Sequence, residues 1–334
     1  MSRPLLIVIT PVRNEAWVLD AFLTHTSSWA DYIIIVDQHS TDGSREIASR
    51  YEKVILLDNP TQEWFEVEAR SLLLERASQI PGDKIIFGLD ADEFLSEGFE
   101  KTQGWKTILE TPPNAVFQFR WLNLFDNYNM VQYDKAVAEW ACHFNDDVDI
   151  VAEYRKREKH AVHACRVPCL EEDSTQYITI DDIRFVHLAK LNKVRTINKL
   201  DFYQVTWADK NQEKPKPISF YRGYNDFYPP DMQHVDKPIA LTCMGEDTPI
   251  NHMVKTADIG KHYLDEMVAV FKREGTDKFI KLGIWDNPYL AEVFPTPHRP
   301  FYIKWLHVYL RKTQPIYRRR VIRIIDKILK KIFQ

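Results

Sequence analysis

Residues that build disulfide frameworks, fibres or membrane spans are scarce in this sequence. Four cysteines are too few for the framework of a small secreted domain, which favours a reducing compartment. With ten glycines and 18 prolines, the chain is neither fibrous nor of low complexity. The apolar run in MSRPLLIVIT is too short for a signal peptide, and no run reaches the roughly 18 residues of a membrane-spanning helix. We therefore expect a globular, cytoplasmic chain that is not exported.

Acidic and basic residues are unevenly distributed. The formal net charge is -4, yet residues 311–334 carry nine Lys or Arg and one Asp, which leaves 35 basic and 47 acidic residues before them. An acidic body argues against nucleic acid as a partner, because a phosphate-binding surface is normally basic. The basic C-terminal segment needs a separate interpretation.

Short apolar runs alternate with segments of helical spacing in the first ninety residues. The runs predict buried strands at 5–10, 32–37, 53–57 and 84–90. The intervening segments predict helices at 15–28, 42–51 and 64–80. This order predicts an α/β fold, with a mostly parallel sheet flanked by helices and with ligands beyond the carboxyl ends of the strands.

The alternation becomes irregular after about residue 112. An aromatic stretch at 116–133 precedes a charged region that extends to about residue 190. Helical spacing returns at 192–207 and 257–274, with a Pro-containing loop predicted through 214–230. We expect the C-terminal region to be mainly helical.

The first predicted strand ends in a polar segment, Thr10-Pro11-Val12-Arg13-Asn14-Glu15. Backbone N–H groups at such a strand-to-helix turn can bind a uridine or its phosphate. An ordinary turn with Asn14 as helix N-cap is the structural alternative. The segment has no glycine, which argues against NAD enzymes and P-loop kinases.

The second predicted strand ends in Asp37 and continues as QHSTDGS. A charge that ends an apolar strand is costly without a partner, so we interpret Asp37 as a ligand for a base or ribose. For Asp42 or Ser40 we favour a cap on the following helix.

Three carboxylates follow the fourth predicted strand in Leu89-Asp90-Ala91-Asp92-Glu93. On an extended backbone at a solvent-facing strand end, Asp90 and Asp92 would point to the same side and share a hard cation such as Mg²⁺ or Mn²⁺. A second Asp-x-Asp, Asp147-Val148-Asp149, has no predicted strand before it and is interpreted as a solvated loop.

These three strand ends resemble the family 2 glycosyltransferases with the nucleotide-binding GT-A fold, over about residues 4–95. The resemblance implies a nucleoside pocket lined by Thr10, Pro11, Arg13, Glu15 and Asp37. It also implies that Asp90 and Asp92 hold the sugar-ribose portion and the metal. Arg70 would pair with the diphosphate, or would form a surface salt bridge.

The second half departs from the family pattern. A catalytic base is expected there by resemblance, and the available acidic cluster is Glu171, Glu172 and Asp173, which also fits a solvated loop. His187 resembles a late metal ligand of some members, with a core histidine bonded to backbone as the alternative.

A second cluster of potential ligands lies between the two halves of the chain. His160, His163, Cys165 and Cys169 are zinc-type ligands at a spacing that is unusual for zinc fingers. We favour packing of small residues around a turn.

The C-terminal segment 318–334 predicts a basic amphipathic helix. Its apolar positions are Val321, Ile324, Ile325, Ile328 and Ile332, and its basic ones are Arg320, Arg323, Lys327, Lys330 and Lys331. Such a helix suits an anionic membrane surface on the inner face of the membrane. Docking on the acidic body of the protein is the alternative.

We therefore predict three parts: a GT-A-like nucleotide-sugar-binding and catalytic domain over 1–190, a helical acceptor-side region over 191–310, and the basic amphipathic helix over 311–334. The predicted reaction is Mn²⁺- or Mg²⁺-dependent sugar transfer from a UDP-linked donor to a carbohydrate or lipid-linked acceptor hydroxyl, as in cell-surface polysaccharide or glycolipid synthesis. Inversion at the sugar carbon is implied by the resemblance alone.

Two other functions stay open. A sugar nucleotidyltransferase would use a similar sheet, but would be expected to carry a Gly-rich, basic turn after the first strand. A non-catalytic, membrane-associated nucleotide-binding protein would need no catalytic carboxylate.

Overall fold

A computed structural model describes most of the chain. The described residues are 3–61, 66–125, 128, 130–157, 165–168, 175–210, 216–224, 233–235, 239, 241–242 and 249–333. The chain divides into two compact units. The first comprises Met1–Ala189 with Gln233–Thr256, and the second comprises Lys190–Met232 with Ala257–Gln334.

The first unit is built on one mixed sheet. Its strands are β1 (Leu5–Val12), β2 (Tyr32–Asp37), β3 (Val54–Asp58), β4 (Lys84–Gly88), β5 (Glu93–Leu95), β6 (Ala115–Phe125), β7 (Met130–Tyr133), β8 (Ala138–Phe144), β9 (Gln176–Lys190) and β10 (Gln233–His234). Neighbours follow the order β10-β7-β6-β8-β4-β1-β2-β3, and β9 pairs with β5 and β6.

The strands that alternate with helices, β4, β1, β2 and β3, pair parallel. These helices are α1 (Leu19–Ser27), α2 (Ser44–Ala48) and α3 (Glu66–Ser78), followed by α4 (Gln103–Glu110) and α5 (Ile150–Arg157). Beyond β4, strands β8, β6, β7 and β10 pair antiparallel. Parallel neighbours need long crossovers, whereas short connections such as the one between β6 and β7 give antiparallel pairs. The predicted α/β fold is confirmed.

The aromatic stretch 116–133, which was not assigned to an element from the sequence, contains most of β6 and all of β7. Asp147-Val148-Asp149 follows β8, so the expectation of no preceding strand was wrong, although Asp149 is exposed as predicted. The Asp149 Oδ1 accepts a hydrogen bond from the Ala152 N–H (3.0 Å), which identifies it as a cap for α5.

The second unit is mainly helical, as predicted. Its helices are α6 (Lys193–Lys210), α7 (Pro217–Tyr224), α8 (Lys261–Glu274), α9 (Pro288–Val293), α10 (Phe301–Thr313) and α11 (Arg320–Phe333). Helix α7 lies within the segment predicted as a loop, because proline is favoured at the first turn of a helix and need not interrupt it. None of the helices within the described part of the chain combines the length and apolar content needed to cross a membrane.

Apolar side chains cover both faces of the parallel strands. On one face, Ile7 and Ile34 pack with Leu73 and Leu74 of α3. On the other, aromatic residues from α1, the turn after it, β4, β5 and α4 form edge-to-face pairs, including Phe22 with Phe94 and Trp29 with Phe87. This packing fixes the strand ends that carry the polar motifs.

His25 of α1 is buried among these aromatic rings. Its ring centroid lies 5.6 Å from that of Phe94 and 6.1 Å from that of Phe99. Burial lowers the pKa of His25 from 6.5 to about 4, because the cationic form would lose its hydration. The histidine is therefore neutral at pH 7.

The stability of the protein should depend on pH through His25. In the unfolded chain the histidine binds a proton as the pH falls below about 6.5, whereas in the folded chain it does so only near 4. Its contribution is thus fully present above pH 6.5, and about 2 kcal/mol should be lost between pH 7 and pH 5. Urea unfolding of the parent and His25→Gln at both pH values measures this, and the same pH dependence in both proteins would contradict it.

Candidate functional site

The polar loops that follow β1 and β2 are joined by hydrogen bonds. The Gln38 N–H donates to the Val12 carbonyl oxygen (2.8 Å), which extends the pairing of the two strands. The Asn14 Oδ1 accepts from the Thr41 N–H (2.8 Å), and the Ser40 Oγ accepts from the Asn14 N–H (2.9 Å). Both predicted nucleotide motifs therefore form one structure at the carboxyl edge of the sheet.

Asn14 does not cap α1, so the N-cap interpretation was wrong. The helix begins at Leu19, and Val18 occupies the N-cap position. Asn14 has φ 56 and bonds to the neighbouring loop instead. Asparagine is one of the few side chains that adopt this left-handed region readily. The same backbone region is occupied by His39, with φ 58.

Asp42 binds the start of α2, as expected of a capping residue, although Gly43 occupies the N-cap position. Its Oδ1 accepts from the N–H of Ser44 (3.0 Å), the first residue of α2, and its Oδ2 accepts from the Ala16 N–H (2.9 Å). The Ser44 Oγ accepts in turn from the Glu15 N–H (2.9 Å). One carboxylate thus binds the first turn of α2 and ties it to the loop after β1.

Asp37 ends β2 and is buried, but its charge is compensated within the protein. The Arg45 guanidinium lies 3.6 Å from Asp37 Oδ2 and also pairs with Asp58. The Ser40 N–H donates to Asp37 Oδ1 (3.3 Å). The argument that Asp37 needs a ligand to offset its charge is therefore weaker than the sequence implied. Its role in a nucleoside pocket stays a prediction.

The other predicted pocket residues alternate in exposure along the end of β1 and its loop. Thr10 is fully buried, whereas Pro11, Arg13 and Glu15 are partly exposed. The partly exposed side chains lie at the protein surface near the strand end. Thr10 could contact a ligand only if the residues that cover it moved.

The carboxylate motif after β4 is a turn rather than an extended segment. The Glu93 N–H donates to the Asp90 carbonyl oxygen (3.0 Å), so residues 90–93 reverse the chain between β4 and β5. The expected alternation of Asp90 and Asp92 on an extended strand was therefore wrong. Asp90 is partly exposed, whereas Asp92 is buried. The expectation that Asp92 faces solvent was therefore wrong.

Two guanidinium groups hold Asp90. Arg70 of α3 lies 3.0 Å from Asp90 Oδ1, and Arg166 lies 2.8 Å from Asp90 Oδ2. Arg70 also pairs with Glu66 one helical turn away (3.2 Å) and is only 1% exposed, so a surface salt bridge is excluded. The sequence motif identified Arg70, but Arg166 has no recognisable motif around it.

Glu93 is fully buried at the centre of a set of hydrogen-bond donors. The Trp121 and Trp140 indole N–H groups donate to it (2.8 and 3.2 Å), as does the Asp90 N–H (3.1 Å). Arg166 adds two hydrogen bonds, of 2.7 and 2.9 Å. Burial raises the pKa of Glu93, Arg166 opposes this, and the neighbouring carboxylates add to it. The ion pair with Arg166 makes the charge tolerable in the core.

Gly88 leaves room for Arg166 beside the end of β4. A Cβ atom at this position would lie 2.5 Å from the Arg166 carbonyl oxygen, which is too close for any L side chain. A glycine at a strand end is thus the sequence signal that another backbone segment approaches there.

His187 reaches the site through the pairing of β9 with β5, which places it opposite Glu93. Its Nδ1 bonds to the Asn123 Oδ1 (2.9 Å), and its ring stacks on Trp121 with centroids 5.2 Å apart. Because an amide oxygen only accepts, Nδ1 carries the proton, and in the neutral ring Nε2 has a lone pair. This Nε2 lies 3.8 Å from Asp92 Oδ1. This hydrogen bond of His187 is to a side chain, whereas the alternative of a core histidine expected one to backbone.

Asp92 and His187 are a donor pair that suits a divalent cation. One supplies a carboxylate oxygen and the other an imidazole nitrogen, both of which bind Mn²⁺. Both Asp90 oxygens already accept from arginine, and the two positive charges oppose a cation at this carboxylate. Within the ranges that the structure describes, no group of three or more His, Cys, Asp or Glu has the geometry of a metal site. The metal assignment stays a prediction.

Several predicted residues lie outside the described residues. These are Glu171, Glu172 and Asp173 of the proposed base cluster, and His160, His163 and Cys169 of the zinc-type cluster. Cys165 is described, and it packs against the hydrophobic core of the first unit.

The Glu93 cluster should be a major source of stability. Glu93→Gln removes the charge that Arg166 and the two indoles surround, and it should destabilise the protein by about 3 kcal/mol. The matched control is Glu110→Gln, because Glu110 is exposed and its Lys106 partner is 3.9 Å away, so its effect should stay within about 0.5 kcal/mol. Urea unfolding at pH 8, above the raised pKa of Glu93 of about 7, measures both, and equal stabilities of the two variants would contradict an ionised Glu93.

The chain resembles one known protein family and, more distantly, several solved structures. The family model for Glycosyl transferase family 2 matches residues 7–167. No curated protein sequence matches the chain. Among solved structures, HddC from Yersinia pseudotuberculosis is 9% identical, with 57% of this chain and 95% of that chain covered and a TM-score of 0.32.

Two further structures show a similarly distant likeness. The inositol-1-phosphate CTP transferase from T. maritima is 8% identical, with coverage of 56% and 92% and a TM-score of 0.32. A 4-diphosphocytidyl-2C-methyl-D-erythritol synthase is 9% identical, with coverage of 54% and 90% and a TM-score of 0.34. These values carry no inference about activity. The family match agrees with the strand-end motifs, and the chain therefore carries a GT-A-like domain of glycosyl transferase family 2 over residues 7–167.

Proposed function

We propose that this protein is a metal-dependent glycosyltransferase that moves a sugar from a nucleotide sugar, expected to be UDP-linked, to an acceptor hydroxyl. The family domain supports a transferase that acts on nucleotide sugars. The observation that carries the proposal is the adjacency of three strand ends. Backbone hydrogen bonds join Leu89 to Ile9 (3.1 Å) and Gln38 to Val12 (2.8 Å), so the carboxylate turn and both polar loops share one sheet edge.

Asp92 and His187 are the residues that would hold the divalent ion. When bound, such an ion neutralises negative charge on the departing nucleoside diphosphate. The hydrogen bond from His187 Nδ1 to Asn123 orients the ring so that Nε2 faces Asp92. Asn123 therefore acts as a positioning residue for the proposed ligand pair.

The two arginines would act mainly through Asp90. Arg70 is almost fully buried and Arg166 is largely so, and both hold the Asp90 carboxylate. Direct pairing of Arg70 with a diphosphate would require this salt bridge to open. Asp90 is the partly exposed member of the cluster. A ribose or sugar hydroxyl can therefore reach it and donate a hydrogen bond to its carboxylate.

Glu93 is unsuited to the role of catalytic base, although it is the carboxylate with a raised pKa in the cluster. It is fully buried, and both of its oxygens already accept hydrogen bonds. A base must reach the acceptor hydroxyl directly or through one water molecule. We propose that the base comes from Glu171, Glu172 or Asp173.

Replacing Asp92 tests the metal assignment. Asp92→Asn should abolish Mn²⁺-dependent binding of UDP and all sugar transfer, because the neutral amide is a poor ligand for a hard cation. Asp149→Asn is the matched control, since Asp149 belongs to the exposed Asp-x-Asp and should leave both properties unchanged. Calorimetric titration with UDP and Mn²⁺ measures binding. Because Asp92 is buried, circular dichroism must first show that both variants fold.

Replacing Asp37 tests the nucleoside pocket. Asp37→Asn should weaken UDP binding by about 1–3 kcal/mol, the cost of a lost hydrogen bond to a charged group, with metal affinity unchanged. Asp58→Asn is a close control, because exposed Asp58 shares the Arg45 partner but lies one strand further along the edge. Equal UDP affinities for the two variants would remove Asp37 from the pocket.

One assay separates the proposed reaction from its alternatives. Incubation of the protein with UDP-sugars, Mn²⁺ and sugar acceptors should release UDP. Formation of UTP and a sugar 1-phosphate from UDP-sugar and pyrophosphate would instead identify a nucleotidyltransferase. Calorimetric binding of UDP without turnover would identify a non-catalytic nucleotide-binding protein.

A further inference from the structure

The last two helices of the second unit pack on a shared hydrophobic cluster. Ile303, Leu306 and Leu310 of α10 and Leu329 and Phe333 of α11 form it together with two residues of α7. Each helix therefore already has one face in the core. What the helices expose is a separate set of side chains.

A buried ion pair fixes the rotation of α11. Arg222 of α7 bonds to both Asp326 oxygens (2.9 and 3.1 Å), and the Tyr309 hydroxyl donates to the same carboxylate (2.9 Å). After Asp286 the sequence contains two acidic residues, Glu292 and Asp326. Because Asp326 points into the protein, the exposed charge of α11 is entirely positive.

Helix α11 exposes an apolar stripe beside its buried face. Val321, Ile324, Ile328 and Ile332 are each more than half exposed, and their spacing of three, four and four residues places them on one side of the helix. Arg320, Arg323, Lys327 and Lys331 are exposed alongside this stripe. Four large aliphatic side chains in water would be costly unless a surface covers them.

Helix α10 exposes apolar residues as well. Phe301 and Trp305 are more than half exposed and Val308 more than a third, at spacings of four and three residues. These positions lie opposite the buried Ile303 and Leu310 on the helix. This second stripe could not be predicted from the sequence, because α10 also has apolar residues on its core face.

We infer that the exposed faces of α10 and α11 bind the surface of a lipid bilayer that carries anionic headgroups. Aliphatic and aromatic side chains enter the headgroup boundary, and adjacent lysines and arginines pair with lipid phosphates and carboxylates. A nucleic acid has no use for the apolar stripes. A second copy of the chain would bring two positive α11 helices together, which electrostatic repulsion opposes. The inference is independent of the proposed reaction, since it needs neither donor nor metal.

Vesicle sedimentation tests the inference on the full chain without nucleotide. The protein should sediment with vesicles of phosphatidylcholine and phosphatidylglycerol, and much less with phosphatidylcholine alone. Raising the salt concentration should weaken the association without abolishing it, because salt screens the charges and leaves apolar burial intact. Equal binding to both vesicle types, or to neither, would overturn the inference.

Matched single variants separate the two contributions. Lys327→Gln should lower the partition coefficient about fivefold, the effect of one charge near an anionic surface, whereas Lys272→Gln on α8 should not change it. Ile328→Ser should lower it on the order of tenfold and Phe301→Ser similarly, because each removes buried apolar carbon. Val293→Ser on α9 is the control, since Val293 is exposed on a different helix.

Sedimentation velocity without lipid tests whether a second copy of the chain, instead of a bilayer, covers the exposed faces of α10 and α11. A monomer in every variant, with the partition losses above, supports the bilayer. A parent dimer that Ile328→Ser dissociates would make the stripe an interface between copies and would overturn the inference. Unchanged partition of Ile328→Ser and Lys327→Gln would overturn it too, because these residues would then be covered by the protein itself.

Discussion

The buried Glu93 carboxylate is the constraint on which the candidate site depends. Its partners come from β6, β8 and the segment around Arg166, which is 73 residues away in sequence. A buried charge without partners costs several kcal/mol, so these elements must be in place together before the charge is stable. The turn that carries Asp90 and Asp92 lies directly on this cluster. Its geometry is thus determined by the core beneath it and not by the turn residues alone.

The parallel half of the sheet could be predicted because its signals are local. A β-branched apolar run such as Ile33–Val36 indicates a buried strand, and strands joined by helices pair parallel with their carboxyl ends at one edge. The same reasoning brought the loops containing Asp37 and Asp90 to that edge. Asp42 could be interpreted as a cap because capping depends on residues adjacent in sequence.

The details of the site could not be predicted because they depend on distant contacts. The register of β9 against β5 decides that His187 faces Asp92, and nothing near His187 in the sequence specifies that register. Asp37 has Arg45 as a partner because α2 begins shortly after β2. The amino-acid composition does not show this ion pair. Asp92 is buried because residues 90–93 form a turn, whereas the sequence pattern was interpreted as an extended strand end.

The ion pair between Arg222 and Asp326 has a consequence for the energetics of surface binding. Many basic amphipathic segments are disordered in water and become helical only on contact with lipid, so ordering the backbone reduces their affinity. In this protein α11 is held as a helix by its own core contacts, with the carboxylate of Asp326 directed inward. Its apolar and cationic side chains are therefore preorganised, and the entropy of helix formation is lost during folding of the chain instead of at the bilayer.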